Sequence, residues 1–198
     1  MVNNFEELTD FLDKYRVRYI IHSDCVEVKG DLCLYREKLT SLPESFGNLK
    51  IRGSLELYSN KLTSLPESFT NLKIVGGLLL YDNNLTSLPE SFGNLEIGRS
   101  LHLDYNNLTS LPESFGNLKI GGCLWFEGNK LTSLPDSFFT SKLYKKASGI
   151  KNLRELRSNF LKRKEQAEIR LKLEAKAKRQ AEEQEEMIRF KSQIWVIG

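Results

Sequence analysis

One period governs this chain. The string Leu-Thr-Ser-Leu-Pro-x-Ser-Phe begins at Leu39, Leu62, Leu85, Leu108 and Leu131, a step of 23 residues each time. All five prolines, Pro43, Pro66, Pro89, Pro112 and Pro135, occupy one column of that register. A unit this short cannot bury its apolar face alone, so a fixed period of this length means copies stacked on one another around a continuous core.

Inside a period the order is apolar, glycine, two alternating leucines, asparagine and leucine, as in Ile51, Gly53, Leu55, Leu57, Asn60 and Leu62. Leucines at i and i+2 make a short strand with one buried face. Asparagine suits the tight turn that follows, and its amide can bond backbone groups between successive units. The column holds Asn60, Asn83, Asn106 and Asn129, with Glu37 in the first unit. Pro-x-Ser-Phe then turns the chain back, which predicts Phe46, Phe69, Phe92, Phe115 and Phe138 as an internal spine.

These residues resemble the leucine-rich repeat family, whose motif is LxxLxLxxNxL. The likeness covers five repeats over residues 25–139. One position departs from it: Arg52 stands three places before Leu55, and Ile51 offers the apolar contact one place earlier. The wording NLKIGG…LTSLPESF is also similar to repeats of bacteria and of large DNA viruses of amoebae. The resemblance implies an α/β repeat solenoid, a short horseshoe with a parallel concave sheet. It also implies protein partners on the concave face and a cytoplasmic or virion-associated setting.

The residues between the buried leucines then form outward columns. One reads Cys33, Glu56, Leu79, His102 and Trp125; the next reads Tyr35, Tyr58, Tyr81, Asp104 and Glu127; a third includes Tyr105. Strands about 4.8 Å apart would set Tyr35, Tyr58 and Tyr81 as a ladder. Tyrosine suits any strand surface, but it is also enriched with tryptophan at binding hot spots. The expected partner surface is Tyr35, Tyr58, Leu79, Tyr81, His102, Tyr105 and Trp125.

Residues 1–24 read as an N-terminal cap, a helix with Phe5, Leu8, Leu12 and Tyr15 on one face followed by a strand from Val17 to His22. Such a cap shields the open end of a solenoid. Residues 140–198 form a C-terminal arm, with a long helix expected over about residues 149–190. Ile150, Leu153, Leu156, Phe160 and Leu161 give its first third an apolar face that would dock on the last repeat. Beyond them, Lys178 and Glu185 fall where a coiled coil wants apolar residues. The chain ends in Ile194, Trp195, Val196 and Ile197, an apolar anchor for a partner or for the chain itself.

Charge follows the same division. Residues 1–24 carry net −2 and residues 25–139 net −3, whereas residues 140–198 hold 16 basic and 8 acidic side chains. A weakly acidic body with a basic arm points to a protein interaction module fixed in a larger assembly. The alternative is a nucleic-acid or anionic-surface binder working through the arm, where residues 142–179 hold 14 basic and 4 acidic side chains. Against it, Glu182, Glu183, Glu185 and Glu186 follow at once.

Three cysteines (Cys25, Cys33, Cys123) are too few and too scattered for a disulfide framework or a zinc site. His22 and His102 are the only histidines. No nucleophile, base and orienter fall together, so neither catalysis nor a cofactor or metal is expected. The first residues lack the basic and apolar regions of a secretory signal, and no run is long and apolar enough to span a bilayer.

Overall fold

The computed structural model describes residues 5–195, with side chains described through Arg189. The chain divides into two units, Met1–Leu153 and Arg154–Gly198.

The first unit begins with helix α1 (Glu6–Lys14). Glu6 and Glu7 in its first turn and Lys14 in its last complement the helix dipole. Its apolar stripe buries Leu8 and Leu12 completely, and the Phe11 ring meets Phe46 edge-on at 5.8 Å. Strand β1 (Ile20–Ile21) follows, antiparallel to β2 (Val26–Val28).

Each rung of the stack holds two strands and a tight helical turn. The first has β2, β3 (Leu32–Cys33) and a 3-10 turn at Glu44–Asn48. The second has β4 (Leu49–Ile51), β5 (Leu55–Glu56) and Glu67–Asn71, and the third β6 (Lys73–Ile74), β7 (Leu78–Leu79) and Phe92–Asn94. The fourth has β8 (Glu96–Ile97), β9 (Leu101–His102) and Glu113–Asn117. The fifth has β10 (Lys119–Ile120), β11 (Leu124–Trp125) and helix α2 (Asp136–Thr140). A further strand, β12 (Ala147–Ser148), precedes helix α3 (Leu153–Trp195).

Two six-stranded sheets result. The leucine sheet runs β12-β11-β9-β7-β5-β3, all parallel. The isoleucine sheet runs β1-β2-β4-β6-β8-β10, parallel except at β1. The sequence reading foresaw one sheet and placed Ile51 as a displaced contact of its strand. Ile51 instead sits in β4, paired with Ile74. Gly30, Gly53, Gly76 and Gly122, with Arg99 in the fourth rung, separate the two strands, because the turns stack backbone on backbone. The Gly76 amide donates to the Gly53 carbonyl at 2.8 Å, and a Cβ at Gly76 would lie 2.5 Å from the Ser54 nitrogen. No side chain fits there without moving that backbone.

The turn after the leucine strand also differs in detail. Positive φ falls one residue before each member of the asparagine column, at Arg36 before Glu37 and at Ser59, Asp82, Tyr105 and Gly128 before the asparagines. Asparagine is freed to act as a cross-rung ligand. Asn83 Oδ1 accepts from the Leu62 amide at 3.0 Å, and its Nδ2 donates to the carbonyls of Leu57 and Leu80 at 2.9 and 3.1 Å. Asn60, Asn106 and Asn129 repeat the pattern in the second, fourth and fifth rungs. Behind them the five spine phenylalanines are fully buried.

At the cap, Glu27 is held between Arg52 and His22. It is only 8% exposed, its Oε1 accepts from Arg52 Nε at 2.5 Å, and its Oε2 lies 3.1 Å from His22 Nε2. The Arg52 hydrogen bond, and after it that of His22, holds the carboxyl below the usual carboxylate range. A lowered folded pKa gives stability that is complete above the unfolded value, about 4.3, and lost as pH falls through the folded one. Between about pH 5 and 3 the melting temperature should therefore drop more steeply for the wild type than for Glu27→Gln. Parallel pH profiles would show that this pair does not support the cap.

The second unit, taken by itself, is α3. Its 43 residues correspond to about 64 Å of helix. Pairs at i,i+4 join Glu168 with Lys172 at 2.7 Å and Arg170 with Glu174 at 2.8 Å. Leu161, Ile169, Leu171 and Leu173 are all more than half exposed.

Candidate binding surface

The leucine sheet turns its two leucine columns inward: Leu32 and Leu34, and their counterparts through Leu124, are fully buried. The alternation of a strand then points the residues between and after them outward. Strict parallel register aligns Cys33, Glu56, Leu79, His102, Trp125 and Ser148.

On that face the rings form a continuous stripe. Tyr35 stacks on Tyr58 at 4.7 Å and 5°, and Tyr58 on Tyr81 at 4.5 Å and 7°. Tyr81 then meets His102 edge-on at 6.3 Å, and His102 stacks on Trp125 at 5.8 Å and 11°. His102 thus carries the stripe across from the tyrosine column to the tryptophan column. Tyr35 is 40% exposed and Trp125 37%, so ring edges and hydroxyls face solvent while most ring faces cover one another. Burial pushes the phenols of Tyr58 and Tyr81 up, so both stay protonated hydrogen-bond donors at neutral pH.

Of the expected surface residues, the structure brings Tyr35, Tyr58, Tyr81, His102 and Trp125 into this stripe. Leu79 is half-buried between Glu56 and His102 in the register. Tyr105 stands apart: it takes φ 51°, and a Cβ on Gly128 would lie 2.5 Å from its ring, so Gly128 is small to seat it. Ile194 and Trp195 fall within α3, but their side chains, and Val196 and Ile197 entirely, lie outside the described residues.

Asp104 is in the outward column read from the sequence but not among the expected partner-surface residues. It occupies the tyrosine column, yet it is 9% exposed. Its Oδ1 accepts from the Glu127 amide at 2.9 Å and its Oδ2 lies 3.4 Å from His102 Nδ1. The signal was present, since positions 102 and 104 share one face of a strand. Asp104 fixes the imidazole that bridges the two ring columns.

The face offers little for covalent chemistry. Burial, and then Glu56 and Asp31, push the Cys33 thiol up, opposite to what a nucleophilic cysteine needs. Among the described residues no three His, Cys, Asp or Glu side chains are grouped to hold a metal ion. Among the same residues no helix is long and apolar enough to cross a membrane.

The Leucine Rich Repeat family model matches residues 99–118. That stretch is similar to a leucine-rich repeat. It spans the fourth rung from the turn before β9 to its 3-10 turn, and its wording recurs through the other four periods. No curated protein matches the chain.

Proposed function

We propose that this chain is a non-enzymatic protein-interaction module. Its leucine sheet takes a protein partner on the Tyr35–Tyr58–Tyr81–His102–Trp125 stripe. The basic helical arm anchors it in a larger assembly. The observation that carries the reading is the unbroken ring contact across five rungs. Stacked rings lose little conformational entropy on binding, and tyrosine and tryptophan dominate interface hot spots. The leucine-rich repeat at residues 99–118 supports the same class of function.

Cross-linking and mass spectrometry in the native source would name the partner and show whether lysines of the arm meet the same assembly. Against that partner, Tyr58→Ala and Trp125→Ala should each weaken binding by about 1–3 kcal/mol. Melting temperatures should change little, because neither side chain fills the core. Normal binding by both variants would remove the stripe from the interface.

A further inference from the structure

The two sheets end differently. The leucine sheet gains β12 beyond the fifth rung, whereas the isoleucine sheet stops at β10, with no strand on its outer side among the described residues. At the other end β1 covers the isoleucine sheet. One end of this sheet is thus finished by a two-residue antiparallel strand, and the other leaves the parallel register open.

The open edge is marked by a substitution in the hydrogen-bond ladder. Along the sheet the carbonyls of Val28, Ile51, Ile74 and Ile97 accept from the backbone amides of Arg52, Val75, Gly98 and Gly121 at 2.9, 3.1, 3.2 and 3.0 Å. The next carbonyl in that column, Ile120, accepts instead from the side-chain ammonium of Lys146 at 2.6 Å. A lysine tip stands where the amide of a further strand would stand.

A groove of about 640 Å³ lies along this edge. Ile97, Leu118, Ile120 and Leu143 line it, with Lys142 and Lys146 at its rim. Lys119 also borders it but is already engaged by Glu96 at 2.5 Å. The rim therefore carries an uncompensated positive charge beside unpaired strand backbone. Lysine at an edge commonly guards it against pairing. Here the guard is one flexible side chain, and an incoming amide can displace it.

We propose that the β10 edge takes an extended acidic segment of a protein partner, which joins the isoleucine sheet as a seventh strand. Its backbone amide replaces Lys146 at the Ile120 carbonyl. The released ammonium and Lys142 then need anions, which carboxylates on alternate residues of the new strand supply. Main-chain pairing gives the affinity and the lysines give the preference for acidic sequences. A second copy of the chain cannot simply continue this sheet in parallel register, because the edge it would offer is β1, a two-residue strand that runs antiparallel to the rungs.

The test uses the full chain and a fluorescent peptide of about eight residues alternating Glu and Val, a length matched to strand addition. Fluorescence anisotropy should show it binding on the order of tenfold tighter than the Lys–Val counterpart, as two exposed ion pairs allow. N-methylation of alternate amides on the pairing edge should abolish binding while leaving every charge in place. The double substitution Lys142→Glu and Lys146→Glu, with an unchanged circular-dichroism spectrum, should reverse the preference. Equal binding of both peptides, or full binding of the N-methylated one, would overturn the proposal, and the N-methyl comparison needs no variant to fold. A concentration-dependent dimer by light scattering that excludes the peptide would overturn it in favour of a second copy.

Discussion

Asn106→Ala should lower the stability of the repeat unit by about 2–6 kcal/mol, one of the two largest effects of a single substitution in this chain. Asn106 is 3% exposed. Its Oδ1 accepts from the Leu85 amide at 3.0 Å, and its Nδ2 donates to the carbonyls of Leu80 and Leu103 at 2.9 and 3.1 Å. Alanine would leave the buried Leu85 amide without its partner, at about 1–3 kcal/mol, and would take one hydrogen bond each from the Leu80 and Leu103 carbonyls, which keep Asn83 and Asn129 as donors, at about 0.5–1.5 kcal/mol each. Most small domains have only about 5–15 kcal/mol to lose. Asn106→Asp should recover little, because a carboxylate keeps the acceptor, loses both donors and faces two carbonyls. Asn129→Ala should cost less, since Asn129 is only partly buried and water can reach its partners. Urea midpoints for the three variants would check the order. A loss below about 1 kcal/mol for Asn106→Ala would mean that water replaces the amide and that the ladder is not a cross-rung tie.

The rungs were legible because their signals repeat. A leucine pair, an asparagine, a proline and a phenylalanine at fixed offsets name the strand, the tie, the turn and the spine, and they recur in every period save for Glu37 in the first and Phe126 in the fifth. What escaped was the part of the period with mixed wording. The residues of β2, β4, β6, β8 and β10 read Val-Glu-Val, Leu-Lys-Ile, Lys-Ile, Glu-Ile and Lys-Ile, too short to show alternation. The glycines beside them read as members of one strand instead of a corner between two. Only stacking makes them strands, because their pairing partners lie 23 residues away and supply the hydrogen bonds. The stripe was legible as columns, but its bend was not. Sequence puts His102 in one column and Tyr81 in the other, and only ring geometry joins them.

The end of the stack was the least legible part. The period stops after Phe138, so the repeat region was expected to end at residue 139. The compact unit runs on to Leu153, and Ala147–Ser148 pairs with β11 in the same parallel register as a true rung. Two residues keep the register, Leu143 one period after Ile120 and Asn152 one period after Asn129, but the leucine pair and the proline are gone. Backbone pairing holds the strand: the Lys146 carbonyl accepts from the Leu124 amide and the Ser148 carbonyl from the Phe126 amide, both at 3.0 Å. An end rung needs its inner face matched to the stack, while its outer face is free to change.

The spine sets the other large expectation. Phe115 is fully buried and touches three rings: Phe92 at 5.8 Å and 1°, Phe126 at 5.9 Å and Phe138 at 6.3 Å. Phe115→Ala should cost about 3–5 kcal/mol, from lost burial and from a cavity that rigid neighbours cannot close. Phe92→Ala, one rung earlier, belongs to the same range. The loss at Phe115 should be uneven along the chain. Each rung is held by its neighbours, so a gap in the fourth releases the fifth and the residues after it, while α1 and Phe11 still brace the first through Phe46. Hydrogen exchange should therefore show protection falling first at the amides of Leu124 and Phe126, with those of Leu34 and Leu55 held longest. Phe115→Leu, which keeps most of the volume, should cost about 1–2 kcal/mol and leave that gradient shallow. Uniform loss of protection in Phe115→Ala would mean that the stack opens as one body, and an unchanged melt would mean that the ring does not support the spine.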